Sequence, residues 1–148
     1  MTRMSTAIRF LGEDHKNHFA KGRFGISWAQ DVGYTPQDRF EHQPVNCQNR
    51  WDVLFIGRLN HRKELARKLG INIGNLDQET DSEIASKAWA RWQQKSIEHL
   101  YGRFTLLICD YKEQKLYGYR SIEGGSACLL YTSPSPRDQR GSRMPSSA

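Results

Sequence analysis

Apolar and polar positions along this chain fall into two periodicities, and the clearest run opens at Trp51. Trp51-Asp-Val-Leu-Phe-Ile-Gly-Arg-Leu59 is bulky and nearly continuous in its apolar character, which predicts a strand buried in a sheet. Asn60 follows as the predicted N-cap of a helix over His61–Leu69, where Leu65 and Leu69 sit four apart and Gly70 supplies the stop. Thr80-Asp-Ser-Glu83 has the spacing of a capping box, in which hydroxyl and carboxylate each satisfy an amide that the first helical turn leaves open. Behind it Ile84, Ala88 and Trp92 recur every four residues, with Ala85 and Trp89 widening the stripe, so the predicted helix docks one face on a core. A shorter helical stretch over Lys95–Leu100 leads to Gly102. Arg103-Phe-Thr-Leu-Leu-Ile-Cys-Asp110 then reads as a strand buried on both faces, turned by Tyr111–Gln114 into a hairpin partner at Lys115–Arg120.

Upstream the pattern is weaker. Ser5–Leu11 and Arg23–Trp28 are short candidate strands separated by a polar, histidine-containing loop, and Ala29–Asn49 reads as irregular. His15 and His18 are three apart but have no third ligand in view, so solvated side chains are expected. Strands, then helices, then strands again predict an α+β fold with helices layered on antiparallel sheet.

The end of the chain reads differently. Cys128-Leu-Leu-Tyr-Thr-Ser-Pro-Ser-Pro-Arg-Asp138 back-translates without a gap into a string resembling the transposon end and read primer of a common sequencing-library kit. Ser142-Arg-Met-Pro-Ser-Ser-Ala148 resembles the matching flow-cell primer, and Gln139-Arg-Gly141 fits the index between them. The expectation is one domain over 1–127, truncated at its C-terminal end, and an adapter-derived, non-native and disordered segment over 128–148. That segment holds +2 of the net charge of +6, which leaves +4 on 1–127, scattered and not in a run. Nucleic acid is therefore not an expected partner. No apolar run approaches the ~20 residues that cross a bilayer and no signal-peptide core opens the chain, so no membrane is expected and a reducing cytoplasm is the default. Cys47 and Cys109 lack metal-ligand spacing; they read as an incidental loop thiol and a small apolar filler, and no metal site is expected.

Several segments in order carry a resemblance. Phe55-Ile-Gly-Arg-Leu-Asn-His-Arg-Lys-Glu-Leu65 lines up with the stretch Phe-Asn-Gly-Glu-Ile-Tyr-Asn-Tyr-x-Glu-Leu of the asparagine synthetase-related proteins. Thr80-Asp-Ser-Glu83 matches that family's Ser-Asp-Thr-Glu, Trp92 falls on its following Trp, and Leu100-Tyr-Gly-Arg-Phe104 matches Leu-x-Gly-x-Phe. Cys109-Asp110 and Arg120-Ser-Ile-Glu-Gly124 echo its Trp-Asp hairpin and Arg-Asp-x-x-Gly loop, and Pro36–Pro44 resembles the segment ahead of the central strands. The resemblance is to the N-terminal class II glutamine amidotransferase-like domain, and it covers roughly 36–127. It implies a four-layer αββα sandwich of the N-terminal-nucleophile hydrolase type, here incomplete.

Glutamine hydrolysis on such a fold uses a nucleophile at the mature N-terminus, whose free α-amine serves as the base. The family uses Cys there. This chain offers Thr2, or Ser5 if translation starts at Met4, as the nucleophile candidates. The family's oxyanion-binding Asn is Ile56, which has no donor, and only the backbone of Gly57 remains at that position; one lost donor costs about 10²–10³ in rate. The family's substrate-binding Glu is Arg58, whereas Asp81 matches its substrate-binding Asp and Arg23 its carboxylate-binding Arg. The resemblance thus implies the front of an ATP-dependent amide ligase with a degenerate glutaminase, kept as a scaffold. It implies no cofactor for this piece and ATP with magnesium for a synthetase domain, which would take a small-molecule or peptide carboxylate; a homo-oligomer is compatible. Two alternatives stand beside it. One is a live glutaminase using Thr2 or Ser5. The other is a non-catalytic protein- or nucleic-acid-binding module with Trp28, Trp51, Trp89 and Trp92 as stacking platforms.

Overall fold

The structure, a computed structural model, describes residues 15–30 and 35–122. The first two strands, β1 (His15–Lys21) and β2 (Phe24–Gln30), form an antiparallel pair. The second sheet has the order β3-β4-β5-β6, with β3 at Val45–Cys47, β4 at Trp51–Leu59, β5 at Gly102–Asp110 and β6 at Lys115–Arg120. All its pairings are antiparallel. Between β4 and β5 run two helices, α1 (Arg62–Leu69) and α2 (Asp81–Trp92). Short 3-10 helices lie at Pro36–Phe40, Ile73–Asn75 and Gln93–Glu98. The α+β expectation holds at this level: helices between antiparallel strands, with one helix laid on the larger sheet.

The pleat decides what that helix meets. Trp51, Val53 and Phe55 of β4 share a face with Phe104, Leu106 and Ile108 of β5, and all six are buried. On α2 the predicted stripe delivers Ile84, Ala85, Ala88 and Trp89 to this face. The two alanines let the helix backbone come close, while Trp89 spreads over Tyr117 and Tyr119 with ring centroids 5.2 and 6.2 Å away. Burying each large apolar side chain contributes about 1.5–3 kcal/mol, so this layer is the main source of stability. Trp92, at the end of the stripe, is only partly buried; it packs against the edge of the core and on His99.

The opposite face of the sheet is unevenly covered. Leu54 and Cys109 are buried there, but Ile56 is 45% exposed and Leu116 50% exposed. The β1–β2 hairpin is tied near one end of the sheet, where Lys21 Nζ lies 3.8 Å from the Asp52 carboxylate and Phe24 meets Tyr111 edge to face at 5.6 Å.

Several sequence expectations shift. The histidine-containing segment expected as a loop is β1 itself, paired residue for residue with β2; its mostly polar run, His-Lys-Asn-His, carries no alternation to mark a strand. His18 is exposed, as expected, and Ser5–Leu11 lies outside the described residues. The irregular stretch contains β3, so Cys47 is a strand residue packed against the core, with Sγ 3.8 Å from the Ser86 carbonyl. Helix α1 is entered from His61, in a left-handed conformation at φ 54° and with no side-chain cap, and not from Asn60. Asn60 instead donates its amide to the Tyr101 carbonyl at 2.7 Å, which closes the β4–β5 end. Gly70 does stop α1, at φ 74°. Strand β5 is not buried on both faces: Arg103 is exposed and Thr105 and Leu107 only half-buried. Among the described residues no helix is long and apolar enough to cross a membrane.

Candidate functional site

Of the residues singled out for chemistry, Ile56, Gly57, Arg58 and Asp81 lie where β4 leaves the sheet and α2 begins. The capping box forms as spaced: the Thr80 hydroxyl accepts from the Glu83 amide at 3.2 Å, and Glu83 returns a carboxylate to the Thr80 amide at 2.9 Å. This fixes Asp81 at the first helical position, pointing back to the strand. Its Oδ2 accepts from the Leu59 amide at 3.0 Å, and its Oδ1 lies 2.9 Å from Arg62 Nε on α1. That last contact has ion-pair distance but lies off the line of a hydrogen bond, since Nε makes none. The Arg62 Nη2 group is spent on the Leu76 and Glu79 carbonyls. Asp81 is therefore a joint between β4, α1 and α2, and it is 7% exposed. Burial raises its carboxyl above the ordinary value, against the Leu59 amide, Arg62 and Arg58, with Asp38 adding to the rise.

Gly57, the other retained position, sits two residues before Leu59 at φ 129°. A Cβ there would lie 2.1 Å from the Arg103 carbonyl oxygen and 2.7 Å from the Phe104 Cα. The close approach of β5 thus requires glycine whatever the backbone does for a ligand. Ile56, beside it, is exposed. Arg58 turns to Asp38, with Nη2 2.7 Å from Oδ1. Asp38 is 6% exposed and also takes the Thr35 amide at 2.9 Å and the Thr35 hydroxyl at 2.7 Å. Burial pushes its carboxyl up, but Thr35 and Arg58 outweigh that and hold it below the ordinary value.

A third carboxylate, Glu41, closes the cluster. Ser82, buried on the first turn of α2, donates to Glu41 and lies 2.9 Å from the Thr80 hydroxyl. With Ser82 donating to Glu41, the hydroxyls form a chain: Glu83 amide to Thr80, Thr80 to Ser82, Ser82 to Glu41. Each bond polarises the next. Burial raises the Glu41 carboxyl, Ser82 and Gln43 oppose this, and Asp81 and Glu83 add to the rise.

Arg23 does not join this cluster. It lies in the exposed turn between β1 and β2, flanked by Lys21 and Phe24, which dock at Asp52 and Tyr111. Asp52 and Leu59 stand seven residues apart on one strand, so that end is about 20 Å away at the usual rise per residue. The β1–β2 hairpin carries Arg23 to that end of the sheet. Thr2 and Ser5 lie outside the described residues. Asp38, Glu41, Ser82 and Arg62 were missed from sequence; the Thr35-x-x-Asp38 spacing across the start of a proline-led turn was the one available signal.

The far end of the sheet holds a separate network around the Asp110 of the hairpin. Its carboxylate accepts from Trp51 Nε1 at 2.8 Å, Arg50 Nη2 at 2.8 Å, and the Lys112 and Glu113 amides at 2.9 Å each. The four tryptophans proposed as stacking platforms are not presented for stacking: Trp28, Trp51 and Trp89 are buried and Trp92 is half-buried. Among the described residues no group of three or more His, Cys, Asp or Glu could hold a metal ion.

Comparison with known proteins now defines the class. The model of the glutamine amidotransferase domain family matches residues 35–140, and the chain belongs to that family. Within it the relationship is to asparagine synthetase: the chain is 25% identical over 85 residues to asparagine synthetase (glutamine-hydrolyzing) 3 of Bacillus subtilis (strain 168). That alignment covers 55% of this chain and 14% of the relative, so only a small part of the longer protein is matched.

Proposed function

We propose that this chain is the amidotransferase part of an asparagine synthetase-like, ATP-dependent amide ligase, with its glutaminase site degenerate and the domain retained as a scaffold. One observation carries the reading: Asp81, the single acidic substrate-binding position retained, is committed to the Leu59 amide and Arg62 and is 7% exposed. The neighbouring positions point the same way. Ile56 brings a hydrocarbon where an amide donor would stabilise an oxyanion, and Arg58 is held by Asp38 where an acid would meet the substrate ammonium. Asp81 and Gly57 each have a sufficient structural reason for their residue type, so neither argues for turnover.

The half-covered sheet face, with Ile56 and Leu116 exposed among buried neighbours, supports a second sheet layer completed from the β1–β2 side, giving the four-layer αββα sandwich in the whole domain. In this reading ATP and magnesium belong to a synthetase domain that activates a small-molecule or peptide carboxylate in the cytoplasm, and assembly into a homo-oligomer is compatible with it.

The test is ammonia release from glutamine by the purified full-length protein. The expected result is none above buffer, with ligase activity supported by free amine. Turnover abolished by blocking the α-amine at Thr2 or Ser5 would replace this reading with a live glutaminase.

A further inference from the structure

We draw no further inference here: the strongest candidate, the cavity of about 350 Å³ between the β4–α1 turn and the end of β6, lined by His61, Ile97, Leu100, Tyr101, Phe104 and Tyr119, is mainly apolar, and nothing in the structure shows what covers it.

Discussion

Replacing Asp110 with asparagine isolates the electrostatic part of the hairpin network, because size and shape are kept while charge and two acceptor sites are lost. The carboxylate is 2% exposed, and although burial pushes its pKa up, Arg50, the Glu113 amide and Trp51 bring it down to about 2 from an ordinary 3.8. At about 1.36 kcal/mol per unit, preferential ionisation in the folded state contributes roughly 2 kcal/mol at neutral pH. The sign follows from a depressed acid: this contribution is complete above the ordinary carboxylate value and is lost as pH falls from about 4 toward about 2. Asparagine can still accept from the Lys112 and Glu113 amides, but its amide hydrogens would face Trp51 Nε1. Leaving that buried donor unsatisfied costs a further 1–3 kcal/mol or so. Urea unfolding followed by tryptophan fluorescence should therefore show Asp110→Asn about 3 kcal/mol less stable at pH 7. The gap between the two proteins should shrink by about 2 kcal/mol at pH 2. A variant within about 0.5 kcal/mol of the parent at pH 7, or a gap that does not change with acid, would refute this account of the network.

Gly57→Ala should lose at least about 3 kcal/mol by the same assay, since a methyl group at φ 129° would overlap the β5 backbone; a mild effect would show that the two strands can move apart. Arg62→Ala leaves Asp81 buried without its nearest counter-charge and should cost about 3 kcal/mol. The Asp81 carboxyl, followed by carbon-13 titration, should move further up, and an unchanged titration would remove Arg62 from the joint. Cys109, fully buried and with its thiol raised to about 11 by burial and by Asp52, should resist iodoacetamide at pH 8 until denaturant is added. Peptide mapping that finds it alkylated in the folded chain would contradict that burial.

The elements fixed by strong local signals were legible in the sequence. The capping box at Thr80, the glycine stop at Gly70, the apolar run of β4 and the stripe of α2 each name a residue type that has one comfortable place to sit. What escaped depends on partners far along the chain. His15–Lys21 becomes a strand only because β2 pairs with it, and nothing in its own pattern says so. His61 enters α1 in a left-handed conformation because Asn60 is already bonded to Tyr101, a residue more than forty positions away. The candidate site divides the same way. Gly57 and Asp81 could be named from a motif, while Asp38 and Glu41 matter only because a segment outside both sheets lies against Arg58 and the start of α2.

The Gln43 amide has one more consequence. By answering both the donor and the acceptor of Phe55, a lone side chain does the work of a neighbouring strand and finishes that margin of the sheet just beyond β3. A stray extended peptide finds no vacant rung at that point.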